Sequence, residues 1–138
     1  MGEVRELRPK QPESEKITIN IGFVDLGGID LLVKEGFYSN RSDFIRTAIR
    51  NQLQQHSDAI RQTVSRHQIE LGLRRYSRAD LQRVRDAGET LHIQVLGLLV
   101  IEPDVPADLA RDTIASLQVL GALQASPDVK AALSDRIG

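Results

Sequence analysis

The sequence predicts an α+β fold in which a short strand and two helices are followed by a long helix and a small βα repeat domain. This prediction depends on two patterns. Residues 16–21 alternate polar and apolar side chains, and residues 94–109 align with residues 118–133 at an offset of 24, with ten identities in sixteen positions. The chain has 138 residues, 41% hydrophobic and 27% charged, which is typical of a globular protein of one or two small domains.

The first fifteen residues contain two prolines, mixed charges and few apolar side chains. Such a composition cannot bury enough apolar surface to offset the entropy of ordering the chain. We therefore expect residues 1–15 to form a disordered arm.

The strand follows directly as Lys16-Ile17-Thr18-Ile19-Asn20-Ile21. Side chains alternate between the faces of a strand, so the three isoleucines share one face and the polar residues share the other. No further strand is predicted before residue 91. A single strand cannot satisfy its own edges, and we expect it to pair with the same strand of a second chain as a two-stranded antiparallel ribbon.

The polar face of this ribbon has side chains suited to base edges. A two-stranded ribbon fits the DNA major groove, where lysine can bond guanine, asparagine can bond adenine, and threonine can contact thymine. Lys16, Thr18 and Asn20 are therefore the candidate base-contacting residues.

The turn between the two helical patterns reads Gly36-Phe37-Tyr38-Ser39-Asn40-Arg41-Ser42-Asp43-Phe44-Ile45-Arg46. It is similar to the G-x-Y-x-S-R-S-E-F-I-R run of the ribbon-helix-helix family of DNA-binding repressors, the CopG, MetJ and Arc superfamily. The resemblance covers residues 16–54. It implies an intertwined homodimer that binds double-stranded DNA and grips a phosphate at the N-terminus of the second helix.

The physical chemistry of that helix terminus agrees with the resemblance. Unpaired N–H groups and the positive end of the helix dipole favour an anion, and short polar side chains add donors. We expect phosphate contacts from Ser39, Asn40, Arg41 and Ser42.

Residues 55–76 are predicted as a helical extension or linker. Apolar and histidine residues recur at spacings of three and four as far as His67, so the second helix can continue toward Tyr76, or Ser57-Asp58 can cap a new helix. His56 and His67 share a face but lie about 16 Å apart, three helical turns, which is too far for one metal ion within a chain. Only pairing across subunits could bring such histidines together, and the nickel site of the resembled superfamily includes a cysteine that this chain lacks. We predict no metal site and no cofactor.

Charge is distributed unevenly along the chain. Residues 41–85 contain ten arginines against four acidic residues, a local balance of +6, whereas residues 91–138 have a balance of −3. The basic segment supports DNA binding. The absence of cysteine and of an apolar run of about 18 residues favours a cytoplasmic protein without a membrane segment.

Residues 77–138 are predicted as one helix and two 24-residue βα repeats. Ser77 and Asp80 have capping-box spacing, and the helix should end near Ala87-Gly88. Each repeat then gives an apolar strand, at residues 91–99 and 117–123, and a helix opening at Val105 or Val129 after the candidate N-caps Asp104 and Asp128. The period predicts a leucine-rich-repeat-like array with parallel strands.

No nucleophile and base pair, phosphate loop or metal cluster is evident, so we do not expect an enzyme. We expect a homodimeric, sequence-specific transcriptional repressor whose C-terminal domain serves assembly or binds a protein partner. Two alternatives share the ribbon: an antitoxin that blocks a partner while regulating its own gene, and an accessory DNA-binding protein of plasmid transfer or partition. An antitoxin commonly has a disordered tail, whereas this tail should fold unaided.

Overall fold

The structure is a computed structural model that describes residues 14–138. Within that range the elements are α1 Phe23–Lys34, α2 Arg41–Gln55, α3 Ser57–His67, β1 Glu70–Tyr76, α4 Arg78–Asp86, β2 Leu91–Ile101, α5 Ala107–Thr113, β3 Ile114–Gln124 and α6 Pro127–Ala132. Two compact units contain Lys16–Thr63 and Val64–Gly138, respectively. Apart from Ser14 and Glu15, the arm predicted at residues 1–15 lies outside the described residues.

The turn between α1 and α2 is closed by a glycine stop. Gly36 has a φ of +88°, and the N–H groups of Gly36 and Phe37 donate to the carbonyls of Val33 and Leu32 at 3.1 and 2.9 Å. This bond pair is the Schellman arrangement, which requires a left-handed residue after the helix. Gly36 therefore ends α1 as a left-handed helix stop.

The helical stretch after α2 does not extend toward Tyr76, which was one of the two alternatives that the sequence left open. α2 ends at Gln55, α3 begins at Ser57 and ends at His67, and residues 70–76 form the strand β1. Gln68 reverses the chain between α3 and β1 with a φ of +53°, and its N–H donates to the Ser65 carbonyl at 3.3 Å. The alternative of helix as far as Tyr76 was therefore wrong, and the other alternative, a new helix at Ser57, agrees with α3.

The three strands of the second unit form a parallel sheet in the order β1-β2-β3. The register pairs Gly72 with Gly97 and Gly97 with Gly121, so the sequence offset of 24 is also the register of β2 on β3. β1 and α4 make a third βα unit that precedes the two predicted ones. The predicted parallel strands are present, with β2 and β3 longer than residues 91–99 and 117–123.

The paired residues Gly72, Gly97 and Gly121 form a glycine ladder across the three strands. Glycine is required where neighbouring strands approach each other at this ladder. Gly97 and Gly121 have φ values of +138° and +128°, and a Cβ at either would overlap the carbonyl oxygen of the preceding glycine in the ladder. A side chain would therefore be excluded both by backbone conformation and by space.

The helices of the βα units enclose the core of the second unit. Its fully buried side chains include Leu81 of α4, Leu99 of β2, Leu109 of α5 and Leu117 of β3. Arginine–aspartate pairs link successive helical layers: Arg85 to Asp112 at 3.1 Å, and Arg111 to Asp135 at 2.6 Å.

Helix capping matches the prediction in α4 and differs in α5 and α6. The Ser77 hydroxyl accepts from the Asp80 N–H at 3.1 Å, and the Asp80 carboxylate accepts from the Ser77 N–H at 2.9 Å, which completes the predicted capping box. The predicted N-caps Asp104 and Asp128 were wrong, because Pro106 and Ser126 occupy those positions. Asp104 instead accepts a bond from the Arg78 N–H at 3.2 Å, in the first turn of the preceding helix.

Candidate nucleic-acid interface

The predicted base-contacting residues lie together in an exposed extended segment. Lys16, Thr18 and Asn20 are exposed, and residues 16–22 form neither helix nor strand within the single chain. The intervening Ile17 and Ile19 are 80% and 65% exposed. The single chain contains no paired ribbon among its described residues; the segment has the side-chain pattern of a strand without a neighbouring strand to bond it.

The N-terminus of α2 is organised by its cap. Asn40 is the N-cap, and its Oδ1 accepts from the Asp43 N–H at 2.8 Å, while the Asp43 carboxylate accepts from the Ser39 N–H at 2.9 Å. The N–H groups of Arg41 and Ser42 find no acceptor among residues 14–138. Two backbone donors therefore remain at the positive end of the helix dipole, the geometry that binds an anion.

An aromatic pair fixes the entry into this helix. The rings of Tyr38 and Phe44 meet edge to face, with centroids 5.0 Å apart and planes at 85°. Such contacts are favourable because the positive ring edge meets the negative ring face. The pair joins the residues on either side of the cap and so holds the turn that presents the free N–H groups.

Arg41 has a structural partner that the sequence analysis missed. Its Nε and Nη2 donate to Oδ1 and Oδ2 of Asp30 at 2.7 and 2.8 Å, which links α2 to α1. The Arg41 hydrogen bond lowers the pKa of Asp30 below its ordinary value. The two residues are eleven positions apart across a turn, a separation outside the three- and four-residue spacings that identify helix-surface pairs.

Many arginines of the basic segment are engaged by carboxylates. Among residues 14–138, six of the ten arginines between positions 41 and 85 form ion pairs: Arg41, Arg61, Arg74, Arg75, Arg83 and Arg85. Arg46 and Arg50 have no ion pair within the described part of the chain, and they follow Ser42 at four-residue spacing along α2. Uncompensated positive charge therefore continues along the helix face that starts at the free N–H groups.

The N-terminal unit has no closed core in the described part of one chain. α2 has no buried residue, α1 buries only Ile29, and Phe23 of α1 is 92% exposed. Ile49 and Leu53 of α2 are also exposed. Helices of this length are stabilised mainly by packing an apolar face, so the exposed faces require a partner surface.

His56, the C-cap of α2, and His67, the last residue of α3, belong to no cluster of metal-ligating side chains in the described chain. No group of three or more metal-ligating side chains comes together within residues 14–138. The described chain also has no helix with the length and apolarity needed to span a membrane.

An unpaired strand-like segment, two helices with an open apolar face and a helix N-terminus with free N–H groups are together the arrangement that the resemblance noted in the sequence predicts for a DNA-binding regulator. The chain belongs to the ribbon-helix-helix transcriptional regulator family, whose model matches residues 12–130. Regulators of this family bind DNA and act as dimers. Comparison with curated proteins and with solved structures gives no match.

Proposed function

We propose that this regulator is a homodimeric, sequence-specific repressor whose residues 16–21 pair between two chains as an antiparallel ribbon in the DNA major groove. The observation that supports this most directly is the exposed segment in which Ile17 and Ile19 alternate with Lys16, Thr18 and Asn20. Pairing would bury the isoleucines over the helices and leave the polar side chains for base edges.

The same proposal assigns the DNA backbone to the start of α2. The free N–H groups of Arg41 and Ser42 would bond one phosphate, with donors from Ser39 and Asn40 beside it. Asp30 uses the Nε edge of Arg41, so the remaining guanidinium N–H groups are those available to the phosphate. Arg46 and Arg50 would add attraction for the backbone along the helix.

Repression follows from occupancy of the site. A dimer that fills the groove and grips the flanking phosphates excludes other proteins from the same base pairs. The resemblance of the turn at residues 36–46 to that of DNA-binding repressors supports this role over activation.

We assign the second unit to assembly. Its three βα units enclose buried leucines within one chain, as expected of a domain that folds unaided. A preformed domain favours assembly over the antitoxin alternative, in which a disordered tail folds on a target.

The experiment is operator selection from a random-sequence duplex pool, followed by binding measurements with the variant K16A/T18A/N20A. Removing each base-contacting side chain should reduce discrimination at its position by about 1–3 kcal/mol, while binding to unrelated DNA remains. The matched control K34A/N51A/T63A removes the same three residue types from α1, α2 and α3. Selection of the same operator by the strand variant would disprove the ribbon assignment.

A further inference from the structure

The two edges of the C-terminal sheet differ. At the β3 edge, the Leu117 N–H donates to the Arg136 carbonyl at 3.0 Å, and the Gly138 N–H donates to the Leu117 carbonyl at 2.8 Å. The C-terminal residues therefore cover the start of that edge. β1 has no strand on its outer side within the described residues, and six of its seven residues are exposed. An open edge of this kind can pair with another strand.

The bonding pattern identifies the residues that face this opening. The Tyr76 carbonyl accepts from the Glu102 N–H at 2.9 Å, and the Gly72 carbonyl is directed at Gly97 of β2. Backbone groups alternate sides along a strand, so the odd-numbered residues turn theirs outward. Leu71 and Leu73 thus present N–H and C=O groups to the open edge.

The sequence of β1 is self-complementary in the antiparallel direction. In the segment Glu70-Leu71-Gly72-Leu73-Arg74, a two-fold axis at Gly72 would place each Glu70 opposite an Arg74 and each Leu71 opposite a Leu73. The opposed charges would attract on one face, and four leucines would gather on the other. A strand of unrelated sequence would not satisfy both faces.

We infer that β1 pairs with β1 of a second copy of this chain, antiparallel about Gly72, to make one continuous six-stranded sheet. Leu71 and Leu73 would then exchange backbone hydrogen bonds across the axis. The inference rests on the assembly role proposed above, and a dimer of this family contains two copies of the unit.

The apolar face of the sheet also supports pairing with a second copy of the chain. Leu71 and Leu73 are 70% and 60% exposed in one chain, and the register sets Leu71 beside Leu96, and Leu96 beside Leu120. Pairing at β1 would join this leucine row to its copy across the axis. The present Arg74 to Glu70 contact within one chain is long, 3.8 Å, and leaves both groups accessible to the second copy.

The test is disulfide cross-linking of the full chain, which contains no natural cysteine. Leu71→Cys and Leu73→Cys chains with different tags are co-expressed, oxidised and analysed on a denaturing gel. Directly opposed residues of an antiparallel pair have the Cα separation of a disulfide, whereas two copies of position 71 are diagonal neighbours. The mixed species should cross-link at least tenfold faster than either variant alone.

A charge exchange then tests the register. In the mixed cysteine pair, Glu70→Arg in both chains should reduce the cross-linking rate severalfold, and the double change E70R/R74E should restore it. Rescue by the double variant separates loss of charge complementarity from misfolding. Equal cross-linking of mixed and unmixed variants, no cross-linking at all, or no rescue would overturn the pairing.

Operator binding of the same variants is measured in parallel. If the variants still bind the operator but do not cross-link, only the β1 pairing is rejected and the proposed function stands. Specific cross-linking in a protein that does not bind DNA rejects the proposed repressor function while supporting the pairing.

Discussion

Arg41 and Asp30 join the first residue of α2 to the second half of α1 through two parallel hydrogen bonds of 2.7 and 2.8 Å. The planar guanidinium matches the carboxylate in this side-by-side arrangement. A residue expected to hold the DNA backbone therefore also fixes the angle at which α2 presents its N-terminus. One side chain would then serve both the packing of α2 on α1 and the proposed phosphate contact.

This pair gives a pH dependence with a defined sign. The pKa of Asp30 lies below its ordinary value of 3.8, since the Arg41 bonds favour the charged carboxylate. A depressed pKa contributes stability above pH 3.8 that is lost as the pH falls through the lower, folded-state pKa. In the variant R41A we expect the Asp30 carboxyl to titrate close to 3.8, as measured by NMR. R46A, which removes an unpaired arginine of α2, should leave the Asp30 titration unchanged; equal pKa values in wild type and R41A would contradict the assignment.

Removing Arg41 should also change the salt dependence of DNA binding. If its remaining N–H groups bond phosphate, R41A should weaken binding to all sequences and reduce the slope of log K against log salt by about 0.9 for each phosphate that is no longer neutralised. The measurement is a salt titration on specific and random duplexes. R61A removes an arginine already paired with Asp58 in α3 and is the matched control. The proposed phosphate bond is absent if both variants keep the wild-type slope.

The glycine ladder predicts that a change from glycine to alanine lowers the free energy of unfolding by different amounts at two of its positions. Gly97→Ala combines an unfavourable φ with overlap against the Gly72 carbonyl, and should lower the free energy of unfolding by about 3–5 kcal/mol. A Cβ at Gly72 meets no atom within 4 Å, so Gly72→Ala incurs only the conformational cost, about 1–3 kcal/mol. Denaturant unfolding measures both values. Similar losses of unfolding free energy in the two variants would show that overlap with the Gly72 carbonyl adds nothing to the cost of Gly97→Ala.

At Gln68, in contrast, a change to glycine should stabilise the protein. Its φ of +53° is unfavourable for a residue with a side chain, so Gln68→Gly should stabilise the protein by up to about 1 kcal/mol despite the added flexibility of glycine. Gln62→Gly makes the same change inside α3 and should destabilise it by about 1 kcal/mol. Thermal unfolding of the two variants should move in opposite directions. A loss of stability in both would show that Gln68 is not strained.

The sequence was sufficient for α1, α2 and their turn because apolar spacing and the Gly36 stop are local signals. It also predicted β2 and β3 through their repeat. It missed β1, since Glu70, Arg74 and Arg75 interrupt any apolar run in an edge strand with little burial. The remaining signal was Leu71-Gly72-Leu73, which matches Leu96-Gly97-Leu98.

The candidate site was likewise predictable from the sequence only in part. Asn40 as a cap follows from residue type and position, and the structure shows the expected side-chain bond. The partner of Arg41 does not follow, because only the packing of two helices brings Asp30 within reach. Pro106 was missed because Asp104 is a stronger capping residue by type, and Ser126 was missed because serine and aspartate rank alike as N-caps, so residue type did not distinguish it from Asp128.

The open apolar face of α1 and α2 should make DNA binding depend on the concentration of the chain. A unit that completes its core only with a second chain folds in a reaction second order in chain concentration, and its stability depends on that concentration. Where free chains predominate, halving their concentration lowers the concentration of assembled binder about fourfold by mass action. Operator occupancy should therefore respond to the dose of the gene product more steeply than it would for a monomeric binder.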